Sequence, residues 1–142
     1  MGSIEHVEIL RRRSLLFRDY AAEALQRGHY DLAAFYAEQA LQLRLKSLLL
    51  RILGYVPRIH SVRELLGLLY RALRELGREE SASALSRFSE DRREALRALD
   101  EAYTASRYLP KVYEAADAEK LLAAVGEAFE LLDSIERGVF SV

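Results

Sequence analysis

The stretch from Leu32 to Leu53 contains neither Pro nor Gly, and it is apolar on nearly every side of the helix it implies. Phe35, Tyr36, Ala40, Leu41, Leu45, Leu48, Leu49, Ile52 and Leu53 leave no broad polar face. A helix of this kind belongs at the centre of a helical domain or inside a dimer, because only there is all of its surface removed from water. The chain around it has to supply the covering helices.

The rest of the sequence suits that task. Leu, Ala, Arg and Glu dominate, and all are good helix formers. Two Pro and seven Gly leave too few turn residues for an all-β chain. At 142 residues the simplest arrangement is one domain over residues 1–142, long enough to bury a core unaided. Cys is absent, which excludes disulfides, thiol catalysis and Cys-ligated zinc. The first residues lack an apolar secretory core, and the longest apolar run is Leu32 to Ala37, so no segment is expected to span a membrane and the expected compartment is the cytoplasm. No cofactor is expected. Net charge is −1 but unevenly placed: residues 1–74 carry twelve Lys and Arg against seven Asp and Glu, and residues 75–142 carry nine against fifteen. This asymmetry suits internal charge pairing or a charged partner, and the near-neutral total is not a nucleic-acid signature.

Periodicity and caps predict an antiparallel bundle of about five helices, four long and one short. The first runs from about Ile4 to Arg27 and is closed by Gly28; the second runs from about Asp31 to Leu53 and is closed by Gly54. Pro57 forbids helix through the following loop. Ser61 and Glu64 form a capping-box pattern for the third, with His60 before the cap placed to face Leu65. Residues 79–88 read as a short helix or turn, Ser89 as the cap of a fourth helix from Glu90 to about Tyr108, and Asp117 as the start of the last. The string from Gly28 to Leu43 is similar to half of a tetratricopeptide unit, but the helix runs on too far and no second copy follows ~34 residues later.

One ordered set of residues resembles the HEPN domain family. It comprises Tyr30-Asp31, the small and aromatic run Ala33 to Ala37, Glu38-Gln39-Ala40, the Leu-rich end from Leu45 to Leu50, Gly54, and His60 ahead of Val62, Leu65 and Leu66. Further on, Ser106-Arg107-Tyr108, Pro110 and Asp117-Ala118-Glu119 resemble the Arg-Tyr-Pro segment before the family's last helix, with Leu109 intervening here. The resemblance spans about residues 10–135. It implies a dimeric helical module, often paired with a minimal nucleotidyltransferase in toxin–antitoxin fashion, that binds a nucleotide or RNA.

Many HEPN domains are ribonucleases that pair an Arg with a His four to six residues on. The Arg holds phosphate and the His moves a proton at the 2′-hydroxyl. In this chain Arg107 is followed by Tyr113 where His would stand. The expected ligand-binding residues are therefore Arg107, Tyr108, Lys111 and Tyr113, with no catalytic assignment. An endoribonuclease toxin with a non-standard site and a purely structural subunit remain the alternatives.

A second cationic stretch includes Arg44, Lys46, Arg51 and Arg58, with no acid between Glu38 and Glu64. Arg44 and Arg51 share one helical face. They read either as an anion site or as a salt-bridged face toward the acidic last helix, the latter being the ordinary case. Arg11-Arg12-Arg13 reads as a solvated face with Glu8 placed to pair. His6, His29 and His60 lack metal-ligand spacing. The apolar surplus of the second helix predicts a homodimer.

Overall fold

In a computed structural model the backbone is described for residues 2–108 and 111–141, and side chains for residues 4–105 and 111–141. Six helices follow one another: α1 (Gly2–Gln26), α2 (Tyr30–Leu53), α3 (Val62–Glu75), α4 (Glu79–Asp91), α5 (Arg93–Tyr108) and α6 (Ala115–Phe140), with no strand among the described residues.

The nearly all-apolar α2 is the axis of the bundle. α1 folds back along it as a hairpin, and α3, α5 and α6 pack against its other sides. Ala33 to Ala40 and Leu41 to Leu50 are therefore largely buried within a single chain. The apolar surplus expected to mark a dimer interface on α2 is consumed by the chain's own helices. The core joins Leu41, Leu45, Leu48 and Leu49 of α2 to Leu65, Leu69 and Leu73 of α3, Leu85 of α4, Leu96 and Leu99 of α5, and Phe129, Leu132 and Ile135 of α6. Each buried Leu contributes about 1.5–3 kcal/mol by leaving water.

The hairpin turn depends on Gly28, whose φ of 79° is disfavoured for residues with a Cβ. His29 N–H bonds back to Ala24 O at 2.9 Å and closes α1. Gly54 ends α2 in the same left-handed region, φ 88°.

Six helices replace the expected five, because the break before α5 is displaced. Ser89 does not cap a helix; it lies inside α4, which continues to Asp91. The chain leaves helical geometry at Arg92, φ −111° and ψ 26°. There the guanidinium forks onto Glu127 of α6, with Nε to Oε1 at 2.7 Å and Nη2 on Oε2. The anchor is tertiary, so no local breaker marks it. α6 begins two residues before Asp117, at Ala115. Glu114 serves as N-cap, and Glu114 N–H donates to Asp117 Oδ2 at 2.9 Å in a reciprocal capping box.

Ser61 caps α3 as expected, accepting from Glu64 N–H at 3.2 Å. The cap is completed from α5. Asp100 accepts from Ser61 Oγ at 2.7 Å, from Val62 N–H at 2.7 Å and from Arg63 Nε at 2.8 Å. One carboxylate thus takes up an orphan backbone N–H at the helix start and its favourable N-terminal dipole. His60 stacks on Tyr103 of α5, with centroids 5.7 Å apart and planes at 16°.

Candidate functional site

Three polar clusters stand out from the apolar bundle. The first lies between α5 and α6 and contains two of the expected ligand-binding residues. Lys111 and Tyr113 line a cavity of about 580 Å³ whose floor is made of Ala95, Ala98, Leu121 and Ala124. The three alanines among them keep the helices' facing sides open. Arg92, Asp117 and Lys120 stand at its rim. Lys111 Nζ donates to Glu101 Oε1 at 3.0 Å and lies 5.2 Å from the centre of the Tyr113 ring. That hydrogen bond holds the Glu101 carboxyl below its ordinary value and the Lys111 ammonium above its own. The Tyr113 hydroxyl is buried without a hydrogen-bond partner among the described residues, and burial pushes its pKa up. The side chains of Arg107 and Tyr108 lie outside the described residues.

The second cluster gathers Arg44 and Arg51, the alternative anion site. Arg44 is 1% exposed and donates to Asp133 Oδ1 at 2.8 Å and to Glu136 Oε1 at 2.6 Å. Arg51 donates to Glu136 Oε2 at 2.7 Å and lies 3.9 Å above the Phe140 ring. Both arginines are ion-paired to the acidic last helix. Arg11 joins from α1, 3.5 Å from Glu136. Burial raises the Glu136 pKa, but hydrogen bonds from Arg51 and Arg44 and the charges of Arg44 and Arg11 prevail, so it lies below the ordinary value.

The third cluster joins residues that the sequence named separately, Glu38 and Gln39 in the HEPN-like run, Lys46 among the cations and His60 before the α3 cap, and adds Gln42. Glu38 is fully buried and accepts from Gln39 Nε2 and from Gln42 Nε2, both at 2.7 Å. Lys46 Nζ donates to Gln42 Oε1 at 2.9 Å. His60 Nδ1 stands 3.2 Å from the same oxygen and, as the Nδ1–H tautomer, makes a second bond to it. Desolvation raises Glu38 to about 7, despite its amide hydrogen bonds, and burial lowers Lys46. The signal was available: Glu38, Gln42 and Lys46 recur every four residues on an otherwise apolar helix, which places them on one stripe.

A central helix packed by four others, with α4 outside them, defines a small all-α domain. The family model of the HEPN domain matches residues 7–135, and the chain belongs to that family. Neither a curated protein nor a solved structure matches it.

Proposed function

We propose that this chain is a non-catalytic HEPN module: a homodimer that binds a nucleotide or RNA phosphate in the α5–α6 groove and works as one half of a pair with a minimal nucleotidyltransferase, as toxin–antitoxin pairs do. The observation that carries the reading is Tyr113. It stands where ribonucleases of the HEPN family place His. Its phenol is buried, and its pKa lies above the ordinary value of 10.0. Such a group is neutral at pH 7 and a poor acceptor for the 2′-hydroxyl proton.

The groove has the features of a binding site. Its volume falls within the range of small-ligand sites, roughly 300–1,000 Å³. Lys111 and Lys120 supply point charges for phosphate, and an apolar floor suits a base. The partner follows from the family resemblance. Co-expression with a minimal nucleotidyltransferase encoded beside the gene, followed by gel filtration with light scattering, tests it. One complex peak containing both chains supports the reading; separate elution at equal concentrations defeats the partnership.

A further inference from the structure

The opposite end of α6 has a different character. Four guanidinium groups converge where α1, α2 and α6 meet: Arg11, Arg44, Arg51 and Arg137. Among the described residues only two carboxylates, Asp133 and Glu136, answer them. Arg44 is sealed beneath, and the other three open onto a cavity of about 400 Å³ whose wall includes Phe140. Counted over the described residues, the cluster holds a surplus of two positive charges. Arg137 makes no ion pair among the described residues.

We propose that this cavity binds the phosphate of a small phosphoester, a nucleotide or pyrophosphate. The site goes beyond the α5–α6 groove and does not depend on it; Lys120 and Arg137 are about 25 Å apart along α6 at 1.5 Å per residue.

Three arguments carry the assignment. A guanidinium has five donors in a fixed fork, and Arg51 spends one on Glu136, leaving others for oxygens in the cavity. The side chain is already held: Glu136 fixes its tip and the Phe140 ring supports its face. A phosphate meeting pre-positioned arginines loses less side-chain freedom on binding. A phosphate dianion also matches the surplus charge, and bidentate geometry favours phosphate at arginine forks. The two carboxylates in the wall disfavour an extended polyanion, so the ligand is a small molecule rather than an RNA strand.

Calorimetric titration of the full chain with pyrophosphate, ATP, AMP and inorganic phosphate tests the site, with NaCl at matched ionic strength as the blank. Saturable binding is expected. Arg137→Gln leaves every ion pair of the cluster intact and is expected to weaken binding about tenfold, the effect of one lost charged contact. Arg51→Gln should weaken it at least as much, whereas Arg78→Gln at the start of α4, a residue that lines neither cavity, should leave it unchanged. Unfolding midpoints of each variant confirm that the fold persists. Wild-type affinity retained in Arg137→Gln overturns the site, as does no saturable binding to any of the four phosphates. Binding lost in Lys111→Ala and kept in Arg137→Gln also overturns it and places the phosphate in the α5–α6 groove. Tighter binding to an RNA strand than to pyrophosphate, sensitive to the same arginines, overturns the small-molecule assignment.

Discussion

Arg44 of α2 and Glu136 of α6 meet at 2.6 Å, with both side chains almost wholly withdrawn from water. Removing two charges from water is costly, and the cost is met here by several contacts at once. Glu136 accepts from Arg44 and Arg51, and Arg44 also reaches Asp133 and Ser47. Arg44→Ala takes the central cation away and leaves a buried carboxylate underpaired. The expected loss is about 3 kcal/mol in urea unfolding. The paired change Arg44→Met with Glu136→Leu should recover most of it, because apolar residues fill the same space without a desolvation cost. A double variant no more stable than Arg44→Ala would contradict this account.

Stability should depend on pH through two carboxyls of opposite sign. Glu38 titrates near 7 when folded against an ordinary 4.5, so its favourable contribution is complete below about pH 4.5 and is lost as pH rises through 7. The full loss is about 3 kcal/mol. Glu136 lies below the ordinary value, so its contribution is present above the ordinary carboxylate range and is lost as pH falls through its folded value. Glu38→Gln should flatten the fall in unfolding temperature between pH 5 and pH 8, after the Gln39 amide turns to accept. Identical slopes in wild type and variant would contradict the assignment to Glu38.

Asp100 should matter more to α3 than the cap residue it supports. Ser61→Ala removes one side-chain cap, worth about 1 kcal/mol. Asp100→Ala removes the acceptor of three donors from α3 and its cap, and should cost about twice as much. Chemical denaturation of the two variants ranks them, and the reverse order would show that the α5 contact is incidental.

The proposed homodimer is expected to use α1. Ile9, Leu16 and Tyr20 lie on one side of it, with Leu32 of α2 also exposed. Leu16 is 38% exposed, so Leu16→Glu spares the core. Light scattering should give twice 16.2 kDa for wild type and 16.2 kDa for the variant. A wild-type monomer at all concentrations defeats the dimer, and a dimeric variant moves the interface elsewhere.

RNA should survive incubation with the purified chain, with and without divalent metal. Efficient cleavage that disappears in Arg107→Ala would show that the chain performs ribonuclease chemistry without the usual His.

The parts of the fold written in local chemistry were legible in the sequence. Gly28, Gly54 and Ser61 end or begin helices through backbone geometry a few residues wide, and α2 announced its burial through composition. The break at Arg92 was not legible, because its anchor, Glu127, is 35 residues away. The Asp100 cap escaped for the same reason, being 38 residues from Val62. At the site, Lys111 and Tyr113, which the sequence offers as ligand-binding residues, both line one groove. It did not show that the Tyr113 hydroxyl is enclosed, since enclosure depends on helices packed from elsewhere. The glutamate–glutamine–lysine stripe is legible at four-residue spacing, but its burial is not, because that depends on the helices packed over it.

The partners of Arg44 have a consequence for how the chain is made. Asp133 and Glu136 follow it by 89 and 92 residues. A ribosome therefore delivers the central helix, with a bare cation embedded in it, long before the residues that neutralise that cation exist. During synthesis α2 has α1 beside it but lacks its final seal, and the growing chain carries an exposed greasy face of the kind chaperones hold. Only when the last turns of α6 leave the exit tunnel can the bundle lock, so the first helices of this domain wait for its last one.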